Sequence, residues 1–379
     1  MTKANNSVSM RENNRLVILN HIRKNPISRA DLARETGLTR AAVTIITDSL
    51  VEEGIIQIGE VVKSESGRRP TMLCLNPNAY VSVGIDISRD GCAVVFTDFS
   101  GNKLLDSKFA FGESADDTVK EVCSYISSEL EMCGYASKAL GVCICSPGPI
   151  DFARGVILTP SRLELFHNFD IVASVSSYLN LPVYLEKDTN VLAIAEKNLG
   201  DFDKDMMLLI ADHGIGCSII KGGRIFSGRD GMGCEIGHTT VDINGDVCAC
   251  GNIGCAELYA SIPAIVKKMG AKSWTDLIES AKGGDPSSSE ALMYQSKILS
   301  ILCVNAANLF EVENIVLGGE LVEADFIVND VIDNALKKSA MSRGLHGFSV
   351  SSSRLGENAR AYAAAVTVTE KYFNGEMNL

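Results

Sequence analysis

One histidine and three cysteines stand close enough in the chain to share a metal ion. His238, Cys248, Cys250 and Cys255 follow the spacing H-x9-C-x-C-x4-C, with Gly251 and Gly254 among the later members. An imidazole and three thiolates complete a tetrahedral shell for Zn2+ and leave no open coordination position. The spacing therefore predicts a structural zinc site that pins a loop, not a hydrolytic centre. The competing reading is a set of free thiols. The nine cysteines outside the cluster are read as small core hydrophobes. His21, His167, His213 and His346 fall outside the spacing and are read as packing or surface residues.

A second constellation lies near the start of the chain and has the character of a DNA contact surface. Thr39 opens a helical pattern in which Val43, Ile46 and Leu50 share an apolar face, while Thr39, Arg40, Ala41 and Thr44 share the other. Short polar and basic side chains on an exposed helix face can reach base edges in the major groove. Further on, Gly67-Arg68-Arg69-Pro70 offers two guanidinium groups on a stiff, extended path suited to a minor groove. A head that binds another protein is the alternative, and the arginines weigh against it.

The elements that must hold these groups can be read from periodicity and capping. Arg11 to Lys24 is an apolar-striped helix, Ser28 caps a second, Gly37 supplies a turn, and Thr39 caps a third that runs to about Glu53. Ile56, Ile58, Val61-Val62 and Thr71 to Leu75 form a hairpin wing. An α/β pattern follows, with strands at Val81 to Ile87, Cys92 to Asp98, Leu140 to Cys145 and Val183 to Glu186. Helices are expected near Asp116 to Met132, Ile171 to Leu179 and Thr189 to Asn198. A similar strand-rich opening at Met206 to Ala211 and Gly216 to Lys221 predicts a second lobe. Residues Glu279 to Glu290, rich in glycine and serine, are read as a surface loop. A strand at Ile315 to Leu317 and a helix from about Asn358 to Tyr372 complete the pattern.

Composition sets outer bounds. A chain of 379 residues, 46% hydrophobic and with 33 glycines, is folded α/β material, not a disordered or fibrous chain. Its net charge of -12 is unevenly spread: residues 1–70 carry 11 Lys/Arg against 8 Asp/Glu, the remainder 24 against 39. A basic head on an acidic body permits DNA binding, because local charge governs that encounter. No signal-like or membrane-spanning stretch is evident, so the protein is expected in the cytoplasm, with its thiols reduced.

These segments together resemble the ROK family of bacterial repressors and sugar kinases. The resemblance is carried by the winged head ending in GRRP, Ser146-Pro147-Gly148-Pro149-Ile150-Asp151, Glu186-Lys187-Asp188-Thr189-Asn190 and Gly214-Ile215-Gly216. Glu235-Ile236-Gly237-His238, CACGNIGCAE over Cys248 to Glu257, and Ile315 to Gly319 complete it. It implies an α/β fold with an N-terminal winged helix-turn-helix over residues 1–75, followed by a two-lobed, actin-like body. Lobe 1 would span 80–200, with 358–379 packing back on it, and lobe 2 would span 201–357 and carry the zinc loop. It further implies that Asp188 stands where the kinases place their general base, and that Glu235, His238 and Glu257 bind sugar hydroxyls.

Two departures shape the functional expectation. Family kinases resemble D-[IL]-G-G-T after their first strand, where glycine amides approach nucleotide phosphates. This chain has Asp86-Ile87-Ser88-Arg89-Asp90, so it is expected to sense rather than phosphorylate, although Asp188 is retained. Lys187 and Arg162 replace two asparagines of the kinase pattern. They either face solvent or pair with Glu186 and Glu164, or both point inward and favour an anionic effector such as a sugar phosphate or sugar acid. The resulting expectation is a sugar-responsive transcriptional regulator, a repressor, binding a double-stranded DNA operator as a homodimer or homotetramer. The alternative is an ATP-dependent sugar kinase with a DNA-binding head.

Overall fold

A computed structural model describes residues 7–59, 71–89, 91–200, 205–228, 233–345, 347–356 and 358–377. Val61, Val62, the Gly67-Arg68-Arg69-Pro70 run, Asp90 and His346 lie outside the described residues. Two compact units divide the chain: Met1–Cys145 with Arg162–Leu185 and Arg360–Leu379, and Ser146–Ser161 with Glu186–Ala359.

The first unit begins with helix α1 (Ser7–Lys24), strand β1 (Ile27–Ser28), helices α2 (Arg29–Thr36) and α3 (Arg40–Glu52), and strands β2 (Ile56–Ile58) and β3 (Met72–Leu75). Local chemistry sets the boundaries. Ser28 Oγ accepts the Asp31 N–H at 3.2 Å, and Thr39 Oγ1 accepts the Ala42 N–H at 3.2 Å, so each helix starts on a side-chain cap. Gly37 ends α2 at φ 70°, a left-handed position that glycine adopts without a Cβ penalty. Ile18, Leu19, Leu32, Val43, Leu50 and Leu73 are fully buried and form the core of this head. The sheet order is β1-β3-β2. β1 has no signature in the sequence: at two residues it is too short to show alternation, and its pairing with Met72 and Leu73 creates it.

The rest of this unit is built on β4 (Val81–Ser88), β5 (Gly91–Asp98), β6 (Lys103–Phe109) and β7 (Ala139–Ser146), with helix α4 (Ala115–Met132) before β7. The short strands β8 (Ile150–Asp151) and β9 (Val156–Ile157) fall in the second unit, whereas β10 (Phe169–Asp170) precedes α5 (Ile171–Tyr178) and β11 (Val183–Lys187) in the first. The sheet order is β11-β7-β4-β5-β6, with β4 antiparallel to β5 and parallel to β7.

The second unit carries α6 (Asp188–Gly200), then β12 (Met206–Ala211), β13 (Ile215–Lys221) and β14 (Arg224–Ile225). Helices α7 (Glu257–Ala260), α8 (Ile262–Met269), α9 (Trp274–Lys282) and α10 (Pro286–Phe310) follow, then β15 (Asn314–Gly318), α11 (Asp325–Ser339) and β16 (Ser349–Ser352). Its sheet order, β16-β15-β12-β13-β14, repeats that of the first unit, with β12 antiparallel to β13 and parallel to β15. All six residues of β12 are buried, as a strand covered on both faces requires.

The last helix, α12 (Ala359–Phe373), packs on the first unit's sheet. Gly84 makes this possible, because a Cβ there would lie 1.9 Å from the Ala361 carbonyl oxygen. Ser82 Oγ and Thr369 Oγ1 are hydrogen-bonded at 2.9 Å in the same buried seam.

Two expectations need correction. Glu279 to Glu290 is not a loop: α9 and α10 occupy it except for Gly283, Gly284 and Asp285. Asp285 caps α10 by accepting the Ser288 N–H at 2.8 Å, and Pro286 sits in the first turn, where its missing N–H costs nothing. The division between 80–200 and 201–357 also differs, because α6 falls in the second unit. There Asn190 accepts a 2.9 Å hydrogen bond from Ser218 of β13.

Candidate functional site

In the second unit the four sequence-distant ligand candidates converge. One donor atom each from His238, Cys248, Cys250 and Cys255 lies within 4.8 Å of the others, a cluster that could hold a metal ion. Cys248 Sγ is 3.7 Å from His238 Nδ1, and Cys250 Sγ is 3.6 Å from Cys255 Sγ. Those separations match the edge, about 3.7 Å, of a tetrahedron with metal–sulfur bonds of about 2.3 Å. The turn around them is specified by glycine. Gly254 has φ 67°, and a Cβ there would sit 1.7 Å from the Asp242 carbonyl oxygen. Asn252 closes the loop by donating to the His238 carbonyl at 2.9 Å.

The residues tied by resemblance to sugar binding lie on elements around this loop. Asp188 begins α6, and its Oδ1 accepts the Thr189 N–H at 2.7 Å. Glu257 begins α7, and its Oε2 accepts the Ile215 N–H at 3.0 Å, fixing the β12–β13 turn. Glu235 immediately precedes the single turn Ile236–His238, which packs against β13 so tightly that a Cβ on Gly237 would meet the Ile215 carbonyl oxygen at 2.4 Å.

Lys187 has a partner that no sequence pattern names. It is buried at the end of β11, and its Nζ pairs with Glu235 Oε1, while Glu186 instead accepts from the Lys187 N–H and from Asn190 Nδ2. Arg162 is exposed, with φ 63°, and belongs to the first unit. Spacing alone carries no signal for the Lys187–Glu235 pair, which joins positions 48 apart.

Two strand-end turns are shaped by the protein's own contacts. In the first unit the β4–β5 connection is a tight hairpin in which Ser88 pairs with Gly91. In the second, Gly318-Gly319 ends β15, but Asp212 Oδ1 accepts the Glu320 N–H at 2.6 Å. A Cβ on Gly319 would be 2.1 Å from that oxygen. An amide that could greet a phosphate thus already holds a carboxylate. Burial and the nearby Asp212 charge push the Glu320 carboxyl above its ordinary range, a further mark of an acidic surround.

In the head, Val43, Ile46 and Leu50 are buried, and Thr39, Arg40, Ala41 and Thr44 are exposed on the opposite face of α3. Arg29 is not available to that face: it bonds Thr47 Oγ1 at 2.8 Å and Asp48 Oδ1 at 2.6 Å.

A winged head that presents one polar helix face, carried on a duplicated α/β body, has the architecture of a DNA-binding regulator. Residues 82–371 match the ROK family and residues 11–57 match the winged helix-turn-helix DNA-binding family, and the chain belongs to the ROK family. It is 29% identical over 373 residues to the xylose repressor of Bacillus spizizenii, covering 96% of each chain. It is 28% identical over 371 residues to the N-acetylglucosamine repressor of Escherichia coli O157:H7, covering 92% of this chain and 90% of that one. Among solved structures it resembles a ROK family transcriptional regulator, a homologue of the E. coli MLC protein, with a TM-score of 0.82, 26% identity and 97% coverage of both chains.

Proposed function

We propose that this protein is a sugar-responsive transcriptional repressor in which the ROK body binds the effector and the winged head binds an operator. The observation that carries the reading is the head itself, joined to a body that matches named repressors along nearly their whole length. Thr39, Arg40, Ala41 and Thr44 enter the major groove, and Arg68 and Arg69 reach the flanking minor groove. Two copies, or two pairs, bind a palindromic site in the cytoplasm.

Zn2+ is the ion favoured by a cluster of one imidazole and three thiols with these separations. With Nδ1 of His238 facing the thiols, Nε2 points away from them and can donate to a ligand hydroxyl. Asp188, Glu235 and Glu257 accept hydroxyl hydrogens, and the metal loop holds His238 in register with them. Lys187 is matched by Glu235, so its charge does not mark this set for a phosphate. A neutral sugar is the effector class this favours.

The test is selection of duplexes from a random pool by the full-length protein, followed by titration with neutral sugars and their phosphates. Sequence-selective retention that a neutral sugar reverses is expected. Sugar phosphorylation by ATP without selective retention would establish the kinase alternative, and release by sugar phosphates alone would reverse the effector class.

A further inference from the structure

Ile45 has no place in the core of the head. It is 62% exposed on α3, one turn after Ala41 and next to Thr44, both of which are also exposed. A single aliphatic side chain in water is ordinary on a protein surface. What sets Ile45 apart is the state of the polar groups around it.

Those groups are largely engaged within the head. Thr44 Oγ1 gives its one proton to the Arg40 carbonyl at 2.9 Å and has none left for an acceptor on a base edge. Thr39 Oγ1 accepts the Ala42 N–H at 3.2 Å. Asp48, the acid one turn after Thr44, accepts from Arg29 at 2.6 Å, and the guanidinium offsets its charge. Beyond Arg40, this face therefore presents hydrocarbon at Ala41 and Ile45.

Charge and chemistry together fit this face to one occupant. With Asp48 offset by Arg29, Arg40 can approach a polyanion without an opposing acid beside it. Residues 11–57, which include α3, match a DNA-binding family. In the major groove, the apolar group that a standard base presents is the C5-methyl of thymine. Ala41 and Ile45 stand one above the other, four residues apart. That spacing is about 6 Å along the helix, close to two base-pair steps of about 3.4 Å.

We propose that Ile45, with Ala41 one turn before it, is a specificity-determining residue that reads thymine through its C5-methyl group. Operator choice at these positions then depends on hydrocarbon contact, and Arg40 supplies the charged contact beside it. The assignment rests on the placement of α3 in the major groove proposed above.

The experiment removes one methyl group at a time. A duplex selected from a random pool by the full-length protein is remade with single thymines replaced by deoxyuridine, which keeps every hydrogen-bonding group and the base pair. Affinity should fall about fourfold at each contacted thymine, the value of one methyl returned to water. Sensitive thymines should lie within about three base pairs of one another in each half-site. Ile45→Ala should fold, because the residue is exposed and alanine is the stronger helix former. It should bind the thymine duplex about fourfold or more weakly and no longer distinguish thymine from deoxyuridine at the base that Ile45 touches. Arg40→Ala should weaken binding and leave that ratio intact.

Equal affinity for every deoxyuridine duplex would overturn the thymine reading, and a ratio unchanged in Ile45→Ala would take Ile45 out of it. A pool from which no duplex is retained would defeat the placement of α3 on DNA, a different failure that shows before any base is altered.

Discussion

Arg23 of α1 and Glu370 of α12 form a two-pronged ion pair, 2.6 Å from Nη1 to Oε1 and 3.3 Å from Nη2 to Oε2, across 347 positions of sequence. The Arg23 guanidinium also covers the Phe373 ring at 4.7 Å, and Asn20 Nδ2 donates to the Phe373 carbonyl at 2.9 Å. The helix that lines the first unit's sheet is therefore also the helix that grips the head.

Glu370→Gln should lower stability by about 1–3 kcal/mol, because Arg23 loses a partly buried, charge-assisted partner. Operator affinity should survive, while the loss of that affinity on adding sugar should shrink. Denaturant unfolding and DNA titration with and without sugar measure the two effects separately. A variant with normal stability and a full sugar response would show that the pair carries no signal.

Arg40→Ala should weaken operator binding by about 1–3 kcal/mol, because Arg40 stands exposed on the helix face opposite Val43 and Leu50. If Arg40 reads a base, the loss will differ among operator variants. If it meets a phosphate, the loss will be uniform and the salt slope will fall by about one. Anisotropy titrations at three salt concentrations distinguish these contacts, and unaltered affinity at all three would remove Arg40 from the interface.

Cys250→Ser should reduce bound zinc and, with it, the sugar response, since His238 belongs both to the cluster and to the turn that follows Glu235. Gly254→Ala is expected to do the same without touching a ligand, because its Cβ would collide with the Asp242 carbonyl. Elemental analysis beside effector titration provides the check. A zinc-free variant with unaltered response would confine the metal to a passive role.

The parent protein should release no ADP when given ATP and sugars, so Asp188→Asn should have no rate to abolish. The reason is geometric: the β4–β5 hairpin closes at Ser88, and Asp212 already holds the Glu320 N–H. A coupled ADP assay decides, and a sugar-dependent rate that this substitution removes would restore the kinase reading.

Acid should loosen the head before the body. Glu53 is held below the ordinary carboxylate range, first by its hydrogen bond from Arg15 and against some burial, with Ser49 adding a second hydrogen bond. A depressed folded-state pKa means that this tie contributes above the unfolded pKa of Glu53 and is lost as pH falls through the folded value. Arg15→Met should flatten that part of the acid titration, followed through NMR signals of α1 and α3. An unchanged titration would place the acid-sensitive contact elsewhere.

What the chain discloses in advance follows the range of the interactions involved. Ser28 and Thr39 are legible as caps because a cap is settled within three residues, and the His238–Cys255 cluster is legible because its members crowd into one loop. Asp285-Pro286 reads as part of a loop because the composition that marks a turn also starts a helix, and only the helix behind it decides. Lys187 is expected beside Glu186 or facing a ligand, and Glu235 claims it through tertiary packing that no local pattern encodes.

The first unit is assembled from three separate stretches of chain, the last of which begins at Arg360. During synthesis the head leaves the ribosome first, but the residue that receives Arg23 is made some 347 positions later. Until α12 emerges, a nascent chain can present a recognition helix while lacking its contact with Glu370. Messages truncated shortly before residue 360 would then yield a deregulated product instead of a merely shortened one.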